Sequence, residues 1–238
     1  MNIGSHLYLG YGPLCYKHST GTRLKANAAI QADEQAELKL AFPCNEAALL
    51  NRAVTLINAF GTIGSRARNG WGSLDIDASC SANDSTDETL PLRPWQDCLK
   101  VEWAHAIGRD EQGVLVWRTE TLDDWSTLMQ QLAKIKIELR TKQFPFHSGK
   151  KAPPPEDRHW LSYPVTNHDV TTWEKKARLS NTLRFKIRRD DKGRLYAIIF
   201  HMPCLPPSRF KPDLDQITRV WQRVHAFLDS EKSLQRSA

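Results

Sequence analysis

The segment from Thr182 to Met202 restricts the fold more than any other part of the chain. Leu183, Phe185 and Ile187 alternate with Arg184, Lys186 and Arg188, after which Asp190-Asp191-Lys192-Gly193 supplies turn chemistry. The apolar run Leu195-Tyr196-Ala197-Ile198-Ile199-Phe200 follows directly. Two such runs separated by a glycine-bearing turn predict an antiparallel hairpin, so the chain must build an antiparallel sheet and cover at least one of its faces.

Helical periodicity supplies the cover. Asn45 stands at an N-cap position, and Leu49, Leu50, Ala53, Val54, Ile57 and Phe60 share one stripe that stops at Gly61. Thr121 and Asp124 have capping-box spacing before Trp125, Leu128, Met129, Leu132 and Ile135, a helix expected to run to about Phe144. A last helix is expected after Asp213, burying Leu214, Ile217, Val220, Trp221, Val224 and Leu228, with a polar, frayed tail beyond Ser230. Alternation also predicts strands at Ala36–Phe42, at Leu74–Ala78, and as one or two strands within residues 98–118. Residues 79–91 and the proline-bearing stretch 145–164 read as long loops. The expected class is α+β, with the ferredoxin-like, RNA-recognition-motif-like antiparallel sheet as its commonest small form. Residues 1–120 and 121–238 read as two parts, compatible with one continuous domain.

With 40% hydrophobic residues, 238 positions can bury a core, and no apolar run approaches the roughly 20 residues that span a bilayer. Five scattered cysteines without a C-x-x-C pair suit reduced thiols, and the N-terminus lacks the pattern of a secretory signal, so a cytoplasmic location is expected. The formal net charge is +6, and it is segregated. Residues 134–194 hold sixteen Lys or Arg against seven Asp or Glu, whereas the rest of the chain holds seventeen against twenty. Such segregation suits a polyanionic partner, although a solvated basic face would produce it equally well.

The most informative segment is GTIGSRARNGWGS, residues 61–73. Gly61, Gly64, Gly70 and Gly72 permit close approach of the backbone to a ligand, while Arg66 and Arg68 add forked donors, with Ser65, Asn69 and Trp71 between them. The segment is neither a Walker loop nor a dinucleotide fingerprint, so no nucleotide cofactor is expected. A bare change of direction would not need two arginines, an asparagine and a tryptophan, and the anion-binding reading is preferred. Arg184, Lys186 and Arg188 form a second candidate track, about 13 Å long on one face of the hairpin, which an edge strand protected by charges would also present. Lys150 and Lys151 extend the basic region. Trp71, Trp160, Tyr163 and Trp173 are candidates for stacking on unpaired bases, with core packing as the competing role for Trp160 and Trp173. His201 and Cys204 are spaced H-x-x-C without a second ligand pair in sequence, so no metal is expected. No histidine stands in a nucleophile or acid–base motif.

Leu9-Gly10-Tyr11-Gly12-Pro13-Leu14, the helix running into GTIGSRARNGWGSL, and Arg178-Leu179-Ser180-Asn181-Thr182-Leu183 before a strand pair ending at Pro203 and Pro206 together resemble the RAMP superfamily of CRISPR effector subunits. The likeness is closest to the first Cmr subunit of the type III-B effector. The resemblance implies ferredoxin-like folds, binding of guide RNA and target RNA beside other effector subunits, and no catalysis by this subunit. It also places Gly61, Gly64, Ser65, Arg66, Arg68, Gly70 and Gly72 in the family's RNA-contacting loop. Family members usually begin with an additional segment carrying an R-G-x-x-R motif, so this chain is expected to be a split or shortened member. The alternatives are a metal-independent RAMP endoribonuclease that processes precursor guide RNA, and a protein scaffold that gains RNA affinity on assembly. The early position of the glycine loop argues against the nuclease.

Overall fold

A computed structural model describes residues 4–24, 34–76 and 90–237. It is a mixed α+β structure with antiparallel sheets. In chain order the strands are β1 Leu14–Lys17, β2 Gly21–Leu24, β3 Leu92–Pro94, β4 Ile107–Asp110, β5 Gly113–Val114, β6 Val116–Thr119, β7 Lys151–Ala152, β8 Asp169–Val170, β9 Leu183–Arg189, β10 Leu195–His201 and β11 Leu234–Arg236. The helices are α1 Ser5–Gly10, α2 Ala47–Phe60, α3 Trp95–Cys98, α4 Trp125–Glu138 and α5 Leu214–Ser230.

The central sheet has the order β11-β6-β10-β9 and is antiparallel throughout. The expected hairpin is its outer half, with Leu195 opposite Arg189 and His201 opposite Leu183. The expected Thr121–Asp124 capping box does not form: Asp124 is itself the N-cap of α4, accepting from Thr127 N at 2.7 Å, and Asp213 caps α5 through Gln216 N at 3.0 Å. α4 passes at its end into a π-helical turn, Leu139–Gln143. The apolar stripes of both helices pack onto Trp117, Leu183, Phe185, Ile187, Ala197 and Ile199 of the sheet. That core also takes in Leu9, Trp95 and Leu115 and therefore crosses residue 120.

Several of these expectations fail. Residues 34–43 form no strand: Leu38, Leu40 and Phe42 are exposed, and no described strand pairs with them. Alternation selects a strand only where a neighbour completes its hydrogen bonds. Residues 74–76 are likewise irregular, and the rest of that expected strand, with most of the 79–91 loop, lies outside the described residues. Asn45 sits in a 3-10 turn, Cys44–Glu46, so α2 starts at Ala47, and Leu49 and Ile57 of its apolar stripe face outward. Leu214 is exposed at the start of α5. The polar tail is not frayed. β11 pairs with β6, and Arg236 is fixed by Asp110 at 2.5 Å and Asp229 at 3.2 Å.

Candidate nucleic-acid interface

The glycine-rich segment begins at the C-terminus of α2, where Gly61 N donates to Ile57 O at 2.7 Å. A bridge between Thr62 and Ser73 closes the loop, and Ile63 N donates to Gly72 O at 2.8 Å. At Gly72 any Cβ would stand 1.7 Å from Ile63 O, so only glycine allows this closure. Gly64 and Gly70 take φ of 82° and 87°, and Arg66, at the exposed tip, takes 60°. A left-handed conformation costs an arginine about 1–2 kcal/mol, a strain of the kind that collects at functional loops.

The loop is anchored on three sides. Along the outer edge of β9, Phe185 N donates to Arg68 O at 3.0 Å and Ile187 N to Ser73 Oγ at 2.8 Å, which covers an otherwise unpaired sheet edge. From the N-terminal turn, Leu9 O accepts from Asn69 Nδ2 at 2.8 Å. Gly10 lies against the Trp71 ring and Gly12 under the Arg66 guanidinium, so the N-terminal glycine turn, the glycine loop and the strand that follows Arg178–Thr182 meet in one place. From α4, Lys136 Nζ donates to Asn69 Oδ1. The Trp71 ring packs at 5.2 Å from Trp125 and is partly buried, which makes it an anchor of the loop.

Around this frame stand cations without counter-charges. Among the described residues none of Arg66, Arg68, Lys136, Arg140, Arg158 and Arg184 is ion-paired, and the buried Nε atoms of Arg140, Arg158 and Arg184 have no hydrogen-bond partner. Burial holds Arg184 below the ordinary arginine value, with the charge of Arg68 second. The Lys136 residue is partly exposed while its ammonium group is enclosed; burial first, then Arg140 and Arg66, lower it to about 7. An unpaired charge of this kind is costly, and several together are stable only beside an anion or at a tolerated cost.

The basic row expected on the hairpin is not a solvent-facing track. Lys186 is fully buried and donates from Nζ to Asn58 O and, at 3.3 Å, to Ile57 O, neutralising the carbonyl end of α2. Burial, with the charge of Arg188 second, lowers its ammonium to about 8. Period-two alternation places these residues beside Tyr196, Ile198 and Phe200, but that second face of the sheet carries its own apolar cluster and packs on Phe60 of α2. Arg188 is partly exposed, its guanidinium 6.0 Å over the Tyr196 ring, and Arg184 lies near Arg68. Of the row, Arg184 alone is brought beside the glycine loop. Lys150 and Lys151 are exposed, Lys151 in the short ladder of β7 with β8.

Trp160, Tyr163 and Trp173 belong to the core: Trp160 Nε1 donates to Gln216 Oε1 at 2.7 Å and Trp173 Nε1 to Phe210 O at 3.0 Å. They cannot stack on a base. Tyr11, exposed beside Gly12, is the aromatic that sequence reasoning missed; its place between two glycines was the available signal. Lys136, Arg140 and Arg158 were missed as well, although Lys136 and Arg140 form an i, i+4 like-charge pair that borders the apolar stripe of α4. His201 uses both ring nitrogens, toward His225 Nε2 at 2.9 Å and Thr182 Oγ1 at 3.0 Å. Among the described residues no group of three or more His, Cys, Asp or Glu could hold a metal ion, and no helix is long and apolar enough to cross a membrane.

No protein-family model, curated protein or solved structure matches the chain.

Proposed function

We propose that the chain is a non-catalytic RNA-binding subunit of a type III-B-like CRISPR ribonucleoprotein, acting with guide RNA or target RNA and with other effector subunits. One observation carries the reading: the exposed, strained tip of the glycine loop presents Arg66, with half-buried Arg68 beside it, both without acidic partners among the described residues and held in place by α4, β9 and the 9–14 turn. Arginines unpaired on a rigid backbone suit phosphate oxygens, and exposed Tyr11 suits an unstacked base. The order of elements supports the ferredoxin-like assignment. With the short β7–β8 ladder inserted after α4, the strands of the central sheet and their helices occur as β6-α4-β9-β10-α5-β11, and the sheet order of these four strands is fourth, first, third, second.

Replacing Arg66 and Arg68 together by Ala tests the reading by fluorescence anisotropy on single-stranded RNA across a salt series. Affinity should fall, and the log–log salt slope should become shallower by roughly 0.7 for each phosphate no longer neutralised. Unchanged affinity and slope would remove the loop from RNA recognition.

A further inference from the structure

Behind the glycine loop, away from its exposed tip, a cleft opens between the end of α4, residues 161–162, and the segment leading into β9. It is lined by Lys136 and Arg140, by the polar side chains of Ser162 and Asn181, and by an apolar floor that includes Leu183 and Trp221. Its enclosed space is only about 10 Å3, so an oxyanion would be held at the open mouth against the cations, not inside the cleft. No carboxylate of the described residues lines it. Asn181 spends its Oδ1 on Leu183 N at 2.8 Å. Arg158 does not line the cleft but lies within electrostatic reach of Arg140, its guanidinium 4.8 Å over the Phe146 ring.

We propose that Lys136, Arg140 and Arg158, with Ser162 and Asn181, form a second oxyanion site that takes a phosphate group. Three features carry it together. The Nε atoms of Arg140 and Arg158 are buried and have no hydrogen-bond acceptor among the described residues, a state that a folded chain rarely leaves uncorrected. Arg140 stands close enough to disfavour the charges of both Lys136 and Arg158, with no acid among the described residues paired to relieve them. The cleft supplies neutral polar groups next to the charges, as a site for a tetrahedral oxyanion needs for its remaining oxygens. Structural cations are ordinarily paired, as Arg236 is with Asp110 and Asp229 in this chain. The contrast marks the cleft as built for a charge that arrives from outside. The inference deepens the RNA reading and rests on it in part, because a phosphate bound here would lie beyond the loop's own contacts and be joined to them through Lys136 and Asn69.

The first arm of the test uses inorganic phosphate on the full chain and does not require RNA. Titration against chloride at matched ionic strength should shift the Nε–Hε resonances of Arg140 and Arg158 saturably while exposed Arg209 stays still. Arg140→Met should weaken that binding about tenfold or more, since it deletes a charge-assisted pair. It should melt no lower than wild type in chloride, since like charges are relieved, and phosphate should no longer raise its melting temperature. Arg158→Gln, read at the Arg140 resonance, serves if the first variant does not fold. Absence of saturable shifts at millimolar phosphate overturns the proposal, as do equal phosphate affinities of wild type and variants. The second arm compares one RNA sequence with a 5′-phosphate, a 3′-phosphate or hydroxyl ends. If Arg140→Met loses affinity only for a phosphorylated end, the site takes a terminal monoester; if it loses affinity equally for all three, the site takes a diester within the strand. Should Arg140→Met leave all three unchanged while the Arg66/Arg68 variant weakens them, the RNA reading stands and this inference falls. Phosphate shifts in a chain that binds no RNA would leave the inference standing and the RNA reading refuted.

Discussion

Lys136→Met should make the protein more stable at neutral pH and less so at high pH. The ammonium is enclosed, donates to Asn69 Oδ1, lies 5.6 Å over the Phe185 ring, and has no acidic partner among the described residues. Burial first, then the Arg140 and Arg66 charges, bring it from 10.5 to about 7, whereas in the unfolded chain it returns to the ordinary value. The folded value is the lower one. Between about pH 7 and 10.5 the unfolded chain therefore binds the extra proton, stability rises with pH through that window, and the full cost is present below it. At about 1.36 kcal/mol for each pH unit, the cost is on the order of 4–5 kcal/mol. Methionine removes it but leaves Asn69 Oδ1 without a donor, a loss of about 1–3 kcal/mol. The net gain is on the order of 1–4 kcal/mol at pH 7, or roughly 2–16 °C in melting temperature for a chain of this size. By pH 10 the wild type has shed most of the cost and the order of the two melting temperatures should reverse. Paired thermal melts followed by circular dichroism at the two pH values read this directly. A variant that melts below wild type at pH 7, or a difference that is the same at both pH values, refutes the reasoning.

Gly72→Ala should dismantle the loop without unfolding the core, because the new methyl meets Ile63 O, a backbone atom that cannot swing aside. RNA affinity should drop together with protection of the Ile63 amide from hydrogen exchange, and retention of both would show that the closure is not required. In the core, burial first and then the charge of His225 lower His201 well below its ordinary value, and burial brings His225 to about 3. Both folded values lie below the unfolded 6.5, so stability is complete above about pH 6.5 and declines as pH falls toward 3. His225→Phe should flatten that acid limb in melts from pH 7 to 4, and an unchanged slope would assign acid sensitivity elsewhere.

What the sequence determined was whatever depends on short-range pattern. The hairpin was legible because residues 183–200 alternate around a DDKG turn, and α4 and α5 because Asp124 and Asp213 cap stripes that repeat at helical spacing. The glycine loop was legible as a loop from its composition. Partnership was not, because it depends on what the rest of the chain brings alongside. Leu38, Leu40 and Phe42 alternate as well as any strand yet stay exposed, with no described strand beside them, while the polar tail gains a strand because β6 has an open edge and Asp110 and Asp229 await Arg236. Lys186 shows the same division most sharply. Its period-two position assigned it correctly to the face opposite Phe185, but only the docking of α2 on that face decided that a lysine there would be buried against helix carbonyls. The charged groups around the loop follow the same rule: sequence counts charges, and tertiary structure alone determines which of them lack a counter-charge.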